Sequence, residues 1–254
     1  RNRLSTVYMP GYKITMLPDE VVQSYTLAEG QACPAVSLYA TFDEATLTLQ
    51  NTETRVERVP IAANLRHDQL DAVVSEITRD GSALDVVICN AGISGAVTEV
   101  ANYPAEVFAR VLEVHVMGTF NTVQATLPHI PDSSSIIITS SVTGLVGPPK
   151  VSAYATAKHA QVGFMKSLAA ELAPRGIRVN TVNPGPVNNG FQNDIEERMT
   201  GLETSQANAS FNELIPLGRH AEMEEIAQAM LFLAGPHSKM ITSTTFRVDG
   251  GMAG

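Results

Sequence analysis

The sequence predicts an α/β fold, a doubly wound and mostly parallel sheet with helices on both faces. Two observations predict it. Short apolar runs alternate along the chain with longer segments whose apolar residues recur at spacings of three and four. Several runs end in turns rich in Gly, Asn and Pro, where strands of such sheets hand over to helices. A length of 254 residues suits one such domain with an ample core.

Residues 5–9, 35–40, 56–62, 84–89, 135–139, 177–182 and 245–248 read as strands. The apolar run Ile136-Ile137-Ile138 fits a parallel strand buried on both faces. Helical signals fill the gaps, strongest over 68–79, 104–129, 152–173 and 223–234, where apolar spacings of three and four persist. Pro174 to Gly176 ends the third of these, with Gly176 supplying the reversal. No internal repeat or low-complexity segment interrupts the series.

The stretch from Ser140 to Lys158 concentrates the chemistry. Tyr154 and Lys158 lie four apart in a helix that runs on through Val162, Met165, Leu168, Ala169 and Leu172, so both side chains leave one helical face. A free tyrosine titrates near 10, and working near pH 7 takes about 3 units, roughly 4 kcal/mol. A lysine ammonium at about 4 Å supplies roughly 4 kcal/mol at an effective dielectric of about 20. Ser141 follows the isoleucine strand, which puts its hydroxyl at the carboxyl end, where open α/β sheets place ligands.

Ser141, thirteen residues and then Tyr154-x-x-x-Lys158 resembles the active site of the short-chain dehydrogenase/reductase family. Three further matches fall in that family's order: Asn90-Ala91-Gly92, Asn183-Pro184-Gly185-Pro186-Val187, and Val248-Asp249-Gly250-Gly251. The resemblance covers roughly residues 56 to 252. It implies one Rossmann-like domain over 1–254, with NAD or NADP as cofactor. It also implies Tyr154 as general acid or base on a carbonyl or alcohol oxygen, Ser141 polarising that oxygen, and Lys158 lowering the tyrosine pKa while holding the nicotinamide ribose. The implied cofactor contacts are Asn90, Ala91, Gly92, Tyr154, Lys158, Pro184, Gly185, Val187 and Asn189 at the nicotinamide end. At the adenosine end they are Gly11, Met16, Asn64 and Leu65.

The adenosine end departs most from the family pattern. Its first turn, Gly-x-x-x-Gly-x-Gly, aligns with Gly11-Tyr12-Lys13-Ile14-Thr15-Met16-Leu17, where only the first glycine is present. Those glycines allow the tight turn, the approach to the pyrophosphate and the helix packing. The second strand ends in Tyr39-Ala40-Thr41, without an acid for a ribose hydroxyl or an arginine for a 2'-phosphate, and Asn64 stands where the family has aspartate.

His115 falls where the family has an asparagine that helps hold a water in the proton relay. By itself, a lone His in an amphipathic helix reads either as a packed core residue or as a catalyst. Asn189 replaces a threonine that contacts the carboxamide, and an amide keeps hydrogen-bonding capacity. Residues 188–211 correspond to the family's lid over the substrate. Phe191, Met199, Leu202 and Phe211 in it imply a partly apolar substrate. Asp194, Glu196 and Glu197 read as a solvated helix face and not as a metal site.

Two functions stand side by side. One is a redox enzyme interconverting a secondary alcohol and a ketone by hydride transfer. The other is a non-redox relative, such as a lyase, an isomerase or a protein like the halohydrin dehalogenases, keeping Ser141 and Tyr154 without a dinucleotide. Lys158 argues against a dehalogenase proper, which carries arginine there. A net charge of -9 without a basic cluster gives nucleic acid or an anionic membrane no electrostatic hold. Cys33 and Cys89 have no ligand spacing, and no apolar run is long enough to span a bilayer, so a cytoplasmic protein without a metal is expected. The resemblance further implies a homo-oligomer, a tetramer, paired through the helices at 104–129 and 152–173.

Overall fold

The structure is a computed structural model that describes residues 32–42, 49–60, 70–79, 81 and 83–254. The expected strand at 5–9, the turn holding Gly11 and Met16, and residues Asn64 and Leu65 lie outside these. The chain divides into two compact units that meet at Gln69 and Leu70 in sequence, and each is described by itself.

In the first unit, β1 (Ala32–Phe42) and β2 (Leu49–Pro60) form a two-stranded sheet. They pair antiparallel, with Val36 opposite Val56 and Tyr39 opposite Glu53. This corrects the expectation of a helix between strands at 35–40 and 56–62. The intervening 43–48 is shorter than the dozen or so residues that a parallel crossover requires. Thr52, Thr54 and Val56 stand at a period of two, which suits a strand and gives a helix no apolar stripe.

The second unit is built on a parallel sheet of β3 (Val86–Cys89), β4 (Ser135–Thr139), β5 (Arg178–Pro184) and β6 (Thr245–Val248), in that spatial order. Ile136 lies opposite Val87 and Val179, and Val182 opposite Phe246. The helices are α1 (Leu70–Ile77), α2 (Ala105–Leu112), α3 (Gly118–Thr126), α4 (Ser152–Leu172), α5 (Gly190–Thr200), α6 (Thr204–Asn212) and α7 (Met223–Ala234).

Strand β4 shows why the sheet needs cover on both sides. Ile136 and Ile138 pack with Val162, Met165, Leu168 and Leu172 of α4, whereas Ile137 packs with Ile226 and Leu233 of α7. All three isoleucines are fully buried, each contributing roughly 1.5–3 kcal/mol by leaving water.

Two segments differ from the expected pattern. The helix expected over 104–129 is one run interrupted by a π turn at Glu113–Met117, where the Gln161 side chain donates to the His115 carbonyl at 3.2 Å. A side chain inserted into the helix ladder is an identifiable cause of such a break. The stretch 188–211 is helical, with α5 capped by Asn189 accepting from the Gln192 amide and ended by Gly201 in the left-handed region. Among the described residues no helix is long and apolar enough to cross a membrane, and no three metal-ligating side chains cluster.

Candidate active site

The carboxyl ends of β3, β4 and β5 deliver the groups singled out in the sequence. Beyond β4, the Ser140 amide continues the ladder to the Val182 carbonyl, and its hydroxyl donates to the Lys158 carbonyl at 3.0 Å. Gly144 presses on the same carbonyl, since a Cβ there would lie 2.9 Å from the Lys158 oxygen. The turn after β4 is thereby locked to α4 at the lysine. Ser141 is extended and caps the following turn by accepting from the Thr143 amide at 3.1 Å. Its carbonyl accepts from the buried Asn183 side chain at 2.8 Å, and Thr181 holds that amide from the other side at 2.7 Å.

Tyr154 stands in the first turn of α4, half-buried, with the Ser141 side chain near enough to lower its phenol pKa, while the Ser141 hydroxyl itself donates to the Pro184 carbonyl at 3.5 Å. Lys158 follows one turn later, 3% exposed, with Nζ 5.4 Å from the tyrosine ring centre. Nζ donates to the Thr139 carbonyl at 2.7 Å, leaving two of its three protons for other acceptors. Burial pushes the Tyr154 phenol up to about 12, against the lowering effect of Ser141. Burial pushes the Lys158 ammonium down to about 7. The sequence-based expectation that Lys158 brings the tyrosine toward neutrality is therefore not met in this geometry. Removal from water is the largest cause of both shifts, and the ammonium is anchored on the Thr139 carbonyl.

That burial has a stability consequence with a definite sign. Lys158 titrates near 10.5 when unfolded and near 7 when folded, so its charged form penalises the fold fully below pH 7. The penalty fades as pH rises from 7 to 10.5. Lys158→Met should therefore be more stable than the parent at pH 6, by a few kcal/mol at most, with the advantage shrinking toward pH 9. Urea midpoints across that range test this, and a destabilised variant at pH 6 would contradict it.

His115 is 1% exposed and sits edge-on to Tyr154 with ring centres 5.4 Å apart. Its Nε2 lies 2.8 Å from the Ile93 carbonyl oxygen and 3.0 Å from the Ile93 amide, while Nδ1 meets no partner among the described residues. Burial, reinforced by the Lys158 charge, depresses the imidazole to about 3, against the Ile93 hydrogen bond. The ring is neutral across the physiological range. Of its two sequence readings, this geometry gives the packed one, a clamp on the loop after β3. Gly92 accommodates it, since a Cβ there would fall 2.5 Å from the imidazole Cε1.

Asn90 and Ala91 are exposed at the end of β3. Pro184 closes β5, and the Gly185 amide donates to the Val248 carbonyl at 3.0 Å. A Cβ on Gly185 would lie 2.9 Å from the Asp249 Cα, so glycine is required for β5 and β6 to meet there. Val187 bridges to Ala221, and Asn189 uses its side-chain oxygen on the cap of α5. Asn90, Ala91, Gly92, Ser141, Tyr154, Lys158, Pro184, Gly185 and Val187 are thus brought to one edge of the sheet.

One sequence reading is corrected outright. Glu196 belongs to no solvated face; it is fully buried and hydrogen-bonded to His220 at 2.7 Å. Ser140, Asn183 and this pair were not singled out as site residues. A polar residue within an apolar strand, as Asn183 is, was the available signal.

The family model described as Enoyl-(Acyl carrier protein) reductase matches residues 35–253. A 3-oxoacyl-(acyl-carrier-protein) reductase of Thermotoga maritima is 36% identical over 187 residues, covering 73% of this chain and 72% of that protein. An uncharacterised short-chain type dehydrogenase/reductase of Sinorhizobium fredii is 35% identical over 186 residues, which are 73% of this chain and 33% of that longer protein. Among solved structures, the carveol dehydrogenase of Mycobacterium avium in complex with NAD superposes with a TM-score of 0.70 at 27% identity, covering 75% of this chain and 73% of that one.

Proposed function

The chain belongs to the short-chain dehydrogenase/reductase family, and from that premise we propose that it is an oxidoreductase interconverting a secondary alcohol and a ketone with NAD or NADP. The observation that carries the proposal is Tyr154 with Lys158 Nζ 5.4 Å from its ring centre, one helical turn on, and with Ser141 acting on its phenol from the carboxyl end of β4. When bound, the nicotinamide supplies or accepts the hydride. In reduction, Tyr154 gives its proton to the substrate oxygen and Ser141 stabilises the charge gathering there. In oxidation, the phenolate takes the proton back.

The residues present fit the nicotinamide half of such a cofactor. Lys158 keeps two donors for hydroxyls, and Asn90 and Ala91 are exposed at the end of β3. Gly92, Pro184, Gly185, Val187 and Asn189 would complete the holding surface, with His115 keeping the β3 loop in position. Phe191, 43% exposed on α5, supports a partly apolar substrate. Incubating purified protein with NADH or NADPH and a series of apolar ketones, and following loss of the reduced nicotinamide, tests the reading. Binding of substrate and cofactor without any turnover would count against it.

A homo-oligomer, a tetramer, is part of the proposal. Met117 and Phe120 are exposed, and Phe120 packs edge-on to Phe164 of α4 at 6.2 Å, giving the two helices a shared apolar surface. Sedimentation at micromolar concentration should show species heavier than the 27.1 kDa chain; a single species of that mass would refute it.

A further inference from the structure

Three polar side chains of β5, Asn180, Thr181 and Asn183, have no exposure at all. Buried polar groups cost free energy unless they are paired, so each has to be accounted for. Asn180 has a structural account. Its Nδ2 donates to the Ile241 carbonyl at 2.9 Å and its Oδ1 accepts from the Thr244 amide at 3.1 Å, which fastens the segment leading into β6. Asn183 serves a different part of the molecule. Its Nδ2 donates to the Ser141 carbonyl at 2.8 Å, beyond the carboxyl end of β4, while the Thr181 hydroxyl donates to its Oδ1 at 2.7 Å. An amide that receives a proton on its oxygen from one neighbour presents its N–H to the other, so Thr181 orients Asn183 toward Ser141.

The bonds around Ser141 show what that contact holds. Its carbonyl also accepts from the Gly144 amide at 2.9 Å, and its hydroxyl oxygen accepts from the Thr143 amide at 3.1 Å, both within its own turn. Its hydroxyl proton is directed to the Pro184 carbonyl at 3.5 Å, the outer limit of a hydrogen bond. That proton is weakly engaged and free to turn to an oxygen arriving at the site. Asn183 ties the turn to β5 by a short bond, and it immediately precedes Pro184, whose carbonyl competes for the same proton. One side chain thus fixes Ser141 relative to the turn that closes β5.

Removing the amide leaves no group orphaned. The Ser141 carbonyl still has the Gly144 amide, and the Thr181 hydroxyl has the Thr244 carbonyl at 3.5 Å. Apart from a small cavity, what is lost is the direction of Ser141. We propose that Asn183 is the positioning residue of the candidate active site, holding Ser141 so that its weakly engaged proton points at the substrate oxygen. The catalytic consequence rests on the oxidoreductase reading; the tether from Asn183 to Ser141 does not.

A double-mutant cycle on the whole protein separates positioning from support. Asn183→Ala should lower kcat for ketone reduction about tenfold, with KM within about twofold of the parent, because Ser141 acts on charge that gathers only in the transition state. Ser141→Ala should lower kcat about a hundredfold. The double variant should be no slower than Ser141→Ala, since a displaced alanine has no proton to misdirect. Thr181→Val leaves Asn183 in place but frees its amide to rotate, and it gives a second reading should Asn183→Ala fold poorly. Its cost should be about threefold in kcat, again vanishing in the Ser141→Ala background. A further tenfold loss in the double variant overturns the proposal, and so does a parental kcat in Asn183→Ala. Hydrogen exchange reads the tether without turnover: Asn183→Ala should speed the Thr143 and Gly144 amides about tenfold and leave those of Ile136 to Ile138 at parent rates. Parent-like exchange at Thr143 and Gly144 overturns the tether. Inactivity of the parent toward every alcohol and ketone, with the exchange result intact, removes the oxidoreductase reading and leaves the tether standing.

Discussion

Tyr154→Phe is expected to lower kcat/KM by about a thousandfold or more while leaving the fold unchanged, because it deletes the proposed proton donor and little else. The ring keeps its volume and its edge-on contact with His115 at 5.4 Å. Its charge does not change either, because a phenol pushed up to about 12 is neutral at working pH. Ser141 keeps its partners, accepting from the Thr143 amide at 3.1 Å and donating to the Pro184 carbonyl at 3.5 Å. The same raised value fixes the sign of the pH dependence in the parent. Reduction needs the neutral phenol, which is fully available at pH 7, so that direction should be flat through neutrality. Oxidation needs the phenolate and should climb with pH through the alkaline range. Steady-state kinetics in both directions, with circular dichroism as a check on folding, measure this. A variant turning over at the parental rate would sink the assignment of Tyr154.

What the sequence made legible follows from how local each signal is. The strands at 135–139 and 245–248 and the helix at 223–234 match to the residue, because each is a contiguous apolar pattern bounded by turn residues. Ser141, Tyr154 and Lys158 were legible because a strand end and one helical face fix their spacing. Glu196 was misread because its partner is 24 residues away in the chain, and an acid with acidic neighbours on a polar helix looks solvated until that contact forms. The effect of Lys158 on Tyr154 was misjudged for a related reason. Spacing reveals that two groups are neighbours but not how far both are removed from water, and here burial is the largest cause of both shifts. The antiparallel pairing of β1 and β2 was missed because short strand-like stretches without an apolar stripe carry no information on partner direction.

The amino-terminal departures lead to the second large expectation: NAD(H) or NADP(H) should bind modestly, held better at the nicotinamide end than at the adenosine end. The proposed nicotinamide end is supported by Asn90 after β3, Tyr154 and Lys158 on α4 and Val187 beyond β5. Toward the adenosine end Thr15 and Leu17 replace glycines, Asn64 replaces an acid, and the second expected strand ends without charge at Thr41. Two or three lost contacts at about 1.5 kcal/mol each weaken binding by roughly a hundredfold or more. Titration with NADH and NADPH, followed by nicotinamide fluorescence, should therefore give dissociation constants well above the micromolar range. Replacing Thr15 and Leu17 together with glycine should tighten binding if the pyrophosphate pocket persists. Submicromolar affinity in the parent would refute a weakened adenosine end. No binding by either form would favour the non-redox reading, in which Ser141 and Tyr154 act without a dinucleotide.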